Sequence, residues 1–216
     1  MSGSWLRTDE AGRTRCWWAG ESGEYRAYHD LEWGRPVVDD RRLFEKISLE
    51  GFQSGLSWLT ILRKREAFRE AFLAFDPVCV ARLGSSDVER LMNDSQIVRN
   101  RKKIEATIAN ARCAVETARE FGSLAAYVWS FEPGRPHRPH GAECPIPSTS
   151  PASAVLSKDL KARGWRFVGP TTAYAFMQAM GLVNDHVEGC LAYEVVEEER
   201  RALRRPEPPR SRLAAP

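Results

Sequence analysis

Apolar residues recur at three- and four-residue spacing along most of this chain, so the pattern predicts a mainly helical protein. Leu43, Phe44 and Ile47 form one such face, with Asp39 or Asp40 placed to cap it. Ser57 opens a second helix, expected to run through Trp58, Ile61 and Leu62 to Phe68 and Phe72. Asp76-Pro77 pairs a cap with a proline at the first helical position, and Gly84 stops that short helix. Ser86-Asp87-Val88-Glu89 has the form of a capping box for a helix carrying Val88, Leu91 and Met92. Ile104, Ile108, Ala111 and Val115 mark a further helix, and Ser123 begins another through Leu124, Tyr127, Val128 and Phe131. Ser150-Pro151 restarts helix with Leu156 and Leu160, and Gly164 ends it. After the short Gly-containing hairpin Trp165 to Pro170, a last apolar face spans Thr171 to Met180.

The same pattern marks where order is expected to fade. Residues 1–12 are polar and unpatterned apart from Trp5 and Leu6, which predicts a flexible N-terminal arm. From Glu132 to Pro145 the chain turns to Pro, Gly, His and Arg, the composition of an exposed loop. His137 and His140 there could bind a metal, although scattered histidines on a surface loop usually do not. Residues 194–216 read as a frayed helix leading into a charged, Pro-rich, disordered tail. Between these ends, residues 13–193 are expected to form one all-α domain.

Composition narrows the class. With 216 residues, 43% hydrophobic and 28% charged, the chain can bury a full core without staples. No apolar run is long enough to span a bilayer, and the start lacks the apolar stretch of a secretory signal, so a cytoplasmic protein is the expectation. Five cysteines, at 16, 79, 113, 144 and 190, make an odd and sparse set, which points to reduced thiols. The net charge of +3 is too small to specify a nucleic-acid partner. Its distribution says more: Arg99 with Arg101, Lys102 and Lys103, and Lys158, Lys161, Arg163 and Arg166, flank turns where amides and cations together suit phosphates.

Two constellations carry chemistry. Leu49 to Trp58 places an acid, two glycines, an amide and an aromatic where two helices meet, a composition suited to a pocket. Glu50 could accept hydrogen bonds from a flat ligand while Trp58 covers one of its faces; a solvated acid beside a core tryptophan is the plainer alternative. Separately, Cys16 and His29 lie near one end, and His186 and Cys190 near the other. Two sulfurs and two imidazoles suit tetrahedral zinc, and four protein ligands leave no place for water, so such a metal would be structural. A buried hydrogen-bonded histidine and a small core cysteine remain the alternative for these positions.

Tyr28-His29-Asp30 with Glu32-Trp33-Gly34, the Glu50 to Trp58 stretch, Phe167-Val168-Gly169 and Gly181-Leu182-Val183-Asn184-Asp185-His186-Val187 together resemble the 3-methyladenine DNA glycosylase I family of bacterial base-excision repair enzymes. The resemblance runs from about Cys16 to Tyr193. It implies a helical fold of the helix-hairpin-helix glycosylase superfamily, with the hairpin at Trp165 to Pro170 and a zinc clip joining the N- and C-terminal segments. The family's ligands fall on Cys16, His29, His186 and Cys190, the set that donor chemistry selects.

By the same resemblance the substrate is 3-methyladenine in alkylated double-stranded DNA, excised by a monofunctional hydrolase that acts as a monomer on the bacterial chromosome. Glu50 is the implied catalytic residue at the base edge. Tyr28 and Trp58 stack on or line the base pocket, with Trp33 and Tyr25 as further wall. Gln53 and Leu56 fill the gap left by the flipped nucleotide, and Gly169, Thr171 and Arg166 hold the DNA backbone. Many relatives in the superfamily carry a catalytic aspartate whose place here matches Asn184; the family lacks it, and the adjacent Asp185 is not assigned as catalyst. Pro170 stands where a hydroxyl residue is usual in the hairpin, which puts one phosphate contact in doubt. Two other readings stay open: a DNA-binding protein that has lost excision, and a glycosylase of wider substrate range.

Overall fold

The computed structural model describes residues 5–134, 141 and 146–209. The first residues of the expected arm, the loop histidines His137 and His140, Cys144 and the end of the expected tail lie outside them. No helix among the described residues is long and apolar enough to cross a membrane.

The N-terminal segment departs from the flexible arm that its sequence suggests. Strands β1 (Leu6–Thr8) and β2 (Thr14–Cys16) pair antiparallel, with Leu6 opposite Cys16. Asp9 closes the turn by accepting from the amides of Ala11 and Arg13. Leu191 N donates to Thr14 O, so the hairpin is stitched to the other end of the chain. Three-residue strands have no room for a readable period, and the ordering contacts come from distant residues.

Helices α1 (Gly23–Leu31) and α2 (Asp40–Gln53) carry Tyr25, Tyr28, His29, Glu50 and Gln53 of the predicted site. Both aspartates before α2 are used: Asp39 accepts from Arg42 N at 2.8 Å, capping α2. Asp40 accepts from Leu124 N and Ala125 N at 2.9 and 2.8 Å, so it helps cap α8 (Leu124–Trp129) from another helix. Two of the donors that α8 would otherwise leave unpaired are thereby satisfied across the core.

The expected single helix from Ser57 to Phe72 is broken at Lys64 into α3 (Trp58–Arg63) and α4 (Arg65–Ala71). The break sets Phe68 against Phe52, with ring centroids 4.6 Å apart. Leu73, Ala74 and Phe75 then take left-handed backbone angles, at a cost that the stacking of Phe75 on Phe72 in the core helps to offset. Next come α5 (Pro77–Val80), capped by Asp76, and α6 (Ser85–Asn93). The α6 cap sits at Gly84 rather than Ser86, and the Asp87 carboxylate accepts from Gly84 N at 3.0 Å. The alternative position shares the same acidic first turn, which is why the pattern alone misplaced it.

The longest helix, α7 (Arg101–Phe121), runs through the core. From it Lys103 reaches the carbonyls of Phe52 and Ser54 at 2.8 and 2.6 Å, pinning the C-terminal end of α2. Asn110 bonds both the amide and the carbonyl of Arg166, holding the turn between α9 (Pro151–Ala162) and α10 (Pro170–Ala179). Phe167 in that turn packs over Gly51 in the last turn of α2, where a Cβ would lie 3.4 Å from Phe167 Cβ. Gly51 therefore serves a contact between α2 and this turn.

The predicted tail begins as an ordered helix, α11 (Tyr193–Ala202). Arg200 is buried, donating to the carbonyls of Gly181 and Leu182 and pairing with Glu132. Arg205 pairs with the same carboxylate. The charge run misled the sequence reading because its arginines and glutamates spend their charge on tertiary partners.

Gly181 is the position with least freedom. It sits at φ +77°, and a Cβ there would come within 2.6 Å of the Pro36 backbone. Gly181→Ala is expected to destabilise the protein by on the order of 3 kcal/mol, combining a disfavoured φ with a backbone clash. Urea unfolding followed by circular dichroism checks this; a loss under about 0.5 kcal/mol, the range of neutral surface changes, would contradict it.

Candidate functional site: an aromatic cavity beside a four-ligand cluster

Helix α1 presents two sides. Tyr25 and Tyr28, three residues apart, face a cavity, while His29 points into a buried cluster with Cys16, His186 and Cys190. One nine-residue helix thereby ties the two features together.

In the cluster the ligand atoms lie within 4.8 Å of one another, and each residue is buried. Cys190 Sγ is 3.4 Å from His29 Nε2 and 3.6 Å from His186 Nδ1, and Cys16 Sγ is 3.8 Å from His186 Nδ1. Each imidazole is oriented by its other nitrogen: His29 Nδ1 is 2.8 Å from Asp30 Oδ1, and His186 Nε2 is 3.0 Å from Trp33 O. Arg15 forks onto Asp30 and also bonds Asp9, so the orienting carboxylate is itself held. Burial opposes charge on Asp30, but Arg15 and His29 outweigh it and lower its pKa. A hydrogen bond with Cys16, then those from His186 and His29, draw Cys190 toward thiolate; that same bond and burial push Cys16 up. Two soft and two imidazole donors converging in a dry site can hold one metal ion.

The cavity, about 350 Å³, is lined by Tyr25, Tyr28, Trp33, Glu50, Gln53 and Trp58 of the predicted set. Trp5, Trp17, Trp18, Ile146, Pro147, Ala175 and Gln178 complete it. The aromatic wall rests on the cluster: the Trp33 ring meets the His186 ring edge-on at 4.7 Å, and Trp18 packs at 5.1 Å from His29 and 4.8 Å from Trp33. Tyr28 and Trp58 lie 5.3 Å apart, tilted. The ring N–H groups of Trp18 and Trp58 are buried and have no hydrogen-bond partner among the described residues.

Glu50 is 6% exposed. Its Oε1 lies 2.7 Å from Lys46 Nζ, which also donates to Tyr28 Oη at 2.7 Å. Burial, and next the neighbouring Glu50, keep Tyr28 far above the usual tyrosine pKa, so it stays a neutral phenol. Burial depresses Lys46 against the pull of Glu50. The lysine was missed because an i, i+4 pair with a glutamate looks like an ordinary solvated helix face.

Other predicted residues lie elsewhere. Leu56 is exposed just beyond α2 and is not in the wall. Gly169 caps α10 without a side-chain bond, and Pro170 occupies the first helical position, where its missing N–H has no helical partner to lose. Thr171 and Arg166 are exposed beside it. Neither Asn184 nor Asp185 reaches the cavity lining. Asn184 bonds Tyr193 O and accepts from His186 N, bracing the cluster loop. Asp185 accepts from Tyr174 Oη and from Gln178 Nε2, the latter a wall residue. Trp5 and Gln178 were also missed: the first stands out only through the packing of the hairpin, and a glutamine on an apolar helix carries no signal.

The family model for methyladenine glycosylase matches residues 18–193. The chain is 49% identical over 180 residues to DNA-3-methyladenine glycosylase 1 of Escherichia coli, covering 83% of this chain and 96% of that protein. It is 45% identical over 181 residues to DNA-3-methyladenine glycosylase of Haemophilus influenzae, covering 82% and 96%. A crystal structure of a tyrosine-to-phenylalanine variant of 3-methyladenine DNA glycosylase I in complex with 3-methyladenine superposes with a TM-score of 0.79, at 36% identity, covering 83% of this chain and 97% of that one. With its cavity, its cluster and the match over most of its length taken together, the chain belongs to the methyladenine glycosylase family.

Proposed function

We propose that this protein is a monofunctional DNA glycosylase that flips 3-methyladenine out of alkylated duplex DNA and hydrolyses its glycosidic bond, the first step of base-excision repair. The observation that carries the reading is a single carboxylate, Glu50, among the described residues of a cavity walled mainly by aromatic rings. Such a cavity suits a flat, flipped base. The positive charge on 3-methyladenine while it is bonded to deoxyribose already weakens that bond, so recognition matters more than catalytic force.

In this reading Glu50 accepts from the exocyclic amine at the base edge, and the faces of Tyr28 and Trp58 cover the ring. Trp33 and Tyr25 shape the wall. Gln53, at the end of α2, and exposed Leu56 fill the stack vacated by the base. The turn between α9 and α10 acts as the helix-hairpin-helix element: amides near Gly169 and Thr171 take a phosphate at the helix N-terminus, and Arg166 adds a cation. No lysine lies between Arg163 and Tyr174 to form a Schiff base there, so water takes the sugar and an abasic site remains.

Cys16, His29, His186 and Cys190 hold structural zinc. A zinc tetrahedron with bonds of about 2.3 Å to sulfur and about 2.0 Å to nitrogen sets sulfur and nitrogen about 3.5 Å apart. Three of the donor separations, 3.4, 3.6 and 3.8 Å, lie close to that figure, and all four ligand atoms lie within 4.8 Å of one another. The ion supplies only a cross-link, since four protein ligands leave no open position.

Glu50→Gln is expected to keep DNA binding and to slow release of 3-methyladenine from methylated DNA at least about tenfold, equivalent to about 1.4 kcal/mol of the barrier. Chromatography of released bases measures it, and release at the wild-type rate would remove Glu50 from the mechanism. Protein purified without added metal should hold one zinc per chain, and Cys190→Ser should lower both zinc content and melting temperature. Metal content near zero, or an unchanged melting temperature, would overturn the zinc clip.

A further inference from the structure

Lys46 lies one turn before Glu50 on α2 and is 6% exposed. Its ammonium engages three cavity groups at once. Nζ pairs with Glu50 at 2.7 Å, donates to Tyr28 Oη at 2.7 Å and sits 3.3 Å from the centroid of the Trp58 ring. Lys46 is not among the residues lining the cavity; it lines a separate narrow pocket together with Tyr28 and Trp58. The groups that would attract a cationic base, one carboxylate and two aromatic faces, are thus already engaged by an internal cation.

We infer that Lys46 is a specificity-determining residue, an internal counter-cation that neutralises Glu50 and sets how strongly the cavity prefers a cationic base over a neutral one. The inference rests on the proposed placement of the base against Glu50. When the glycosidic bond breaks, its electron pair goes to the base, which leaves neutral, and the positive charge passes to the sugar, where water adds and releases a proton. An unpaired Glu50 would hold the charged ground state more tightly than the base as it loses its charge, which works against the reaction. It would also attract any methylated purine cation without regard to shape. With Lys46 in place, selection falls on fit and on hydrogen bonds.

The test compares dissociation constants, from tryptophan fluorescence at pH 8, for cationic 3,9-dimethyladeninium and neutral 3-methyladenine. Wild type, Lys46→Met, Lys46→Gln and Lys46→Arg are measured with both ligands. Each neutral variant should raise the preference for the cation about tenfold, as expected when a partly desolvated charge loses its partner. Lys46→Arg should hold the wild-type ratio within twofold. If the neutral variants weaken both ligands by one common factor, or if Lys46→Arg shifts the ratio as they do, Lys46 is structural and the inference fails. Failure of wild type to bind either ligand would overturn the placement of the base and this inference with it, an outcome distinct from an unchanged ratio.

Discussion

The structure depends first on one long-range convergence, that of Cys16, His29, His186 and Cys190 into a dry cluster. Chain segments more than 150 residues apart meet there, and the elements around them are short: a three-residue strand, one turn of loop and the end of α1. Such elements cannot hold their positions by their own hydrogen bonds. The cluster, the salt bridges of Arg15 to Asp9 and Asp30, and the hydrogen bond between Asp30 and His29 do that for them. The cavity inherits the result, since Trp18 and Trp33 pack on the cluster imidazoles and then form its wall. A disturbance of the cluster is thus transmitted to the aromatic faces without any direct contact with a ligand.

Helix α2 does the corresponding work on the other side. Asp39 caps its start, Lys103 grips its last carbonyls, and bare Gly51 lets Phe167 sit close against its last turn. Glu50 therefore stands on a helix fixed at both ends, and the turn before α10 is fixed to the same helix. Ala175 and Gln178 of α10 line the cavity as well. The wall for a base and the amides suited to a phosphate are in this way parts of one rigid packing arrangement, which favours orientation over adaptation.

Burial changes the meaning of charge in this protein. Arg200 and Glu132 belong to segments whose composition reads as surface, yet they join α11 to the core. Lys46 and Glu50 look like a helical surface pair and are instead desolvated beside Trp58 and Tyr28. In each case the side chain has exchanged water for a specific partner, and the partner gives the position its role.

The helical class and most of the element positions were legible because they depend on local information, whereas the cluster residues and part of the cavity wall were legible through donor type and the family resemblance together. Caps, apolar spacing and donor type are properties of neighbouring residues, and the motifs around Tyr28, Glu50, Gly169 and His186 preserve them. What the tertiary structure alone decided is non-local. It ordered the hairpin that places Trp5 beside Trp17, split the helix at Lys64, gave Asp40 to α8 and anchored α11 by Arg200. It also turned Lys46 inward. No residue's neighbours in sequence report whether its charge will face water or a ring from another helix, because that is settled by packing between elements and not by the period within one.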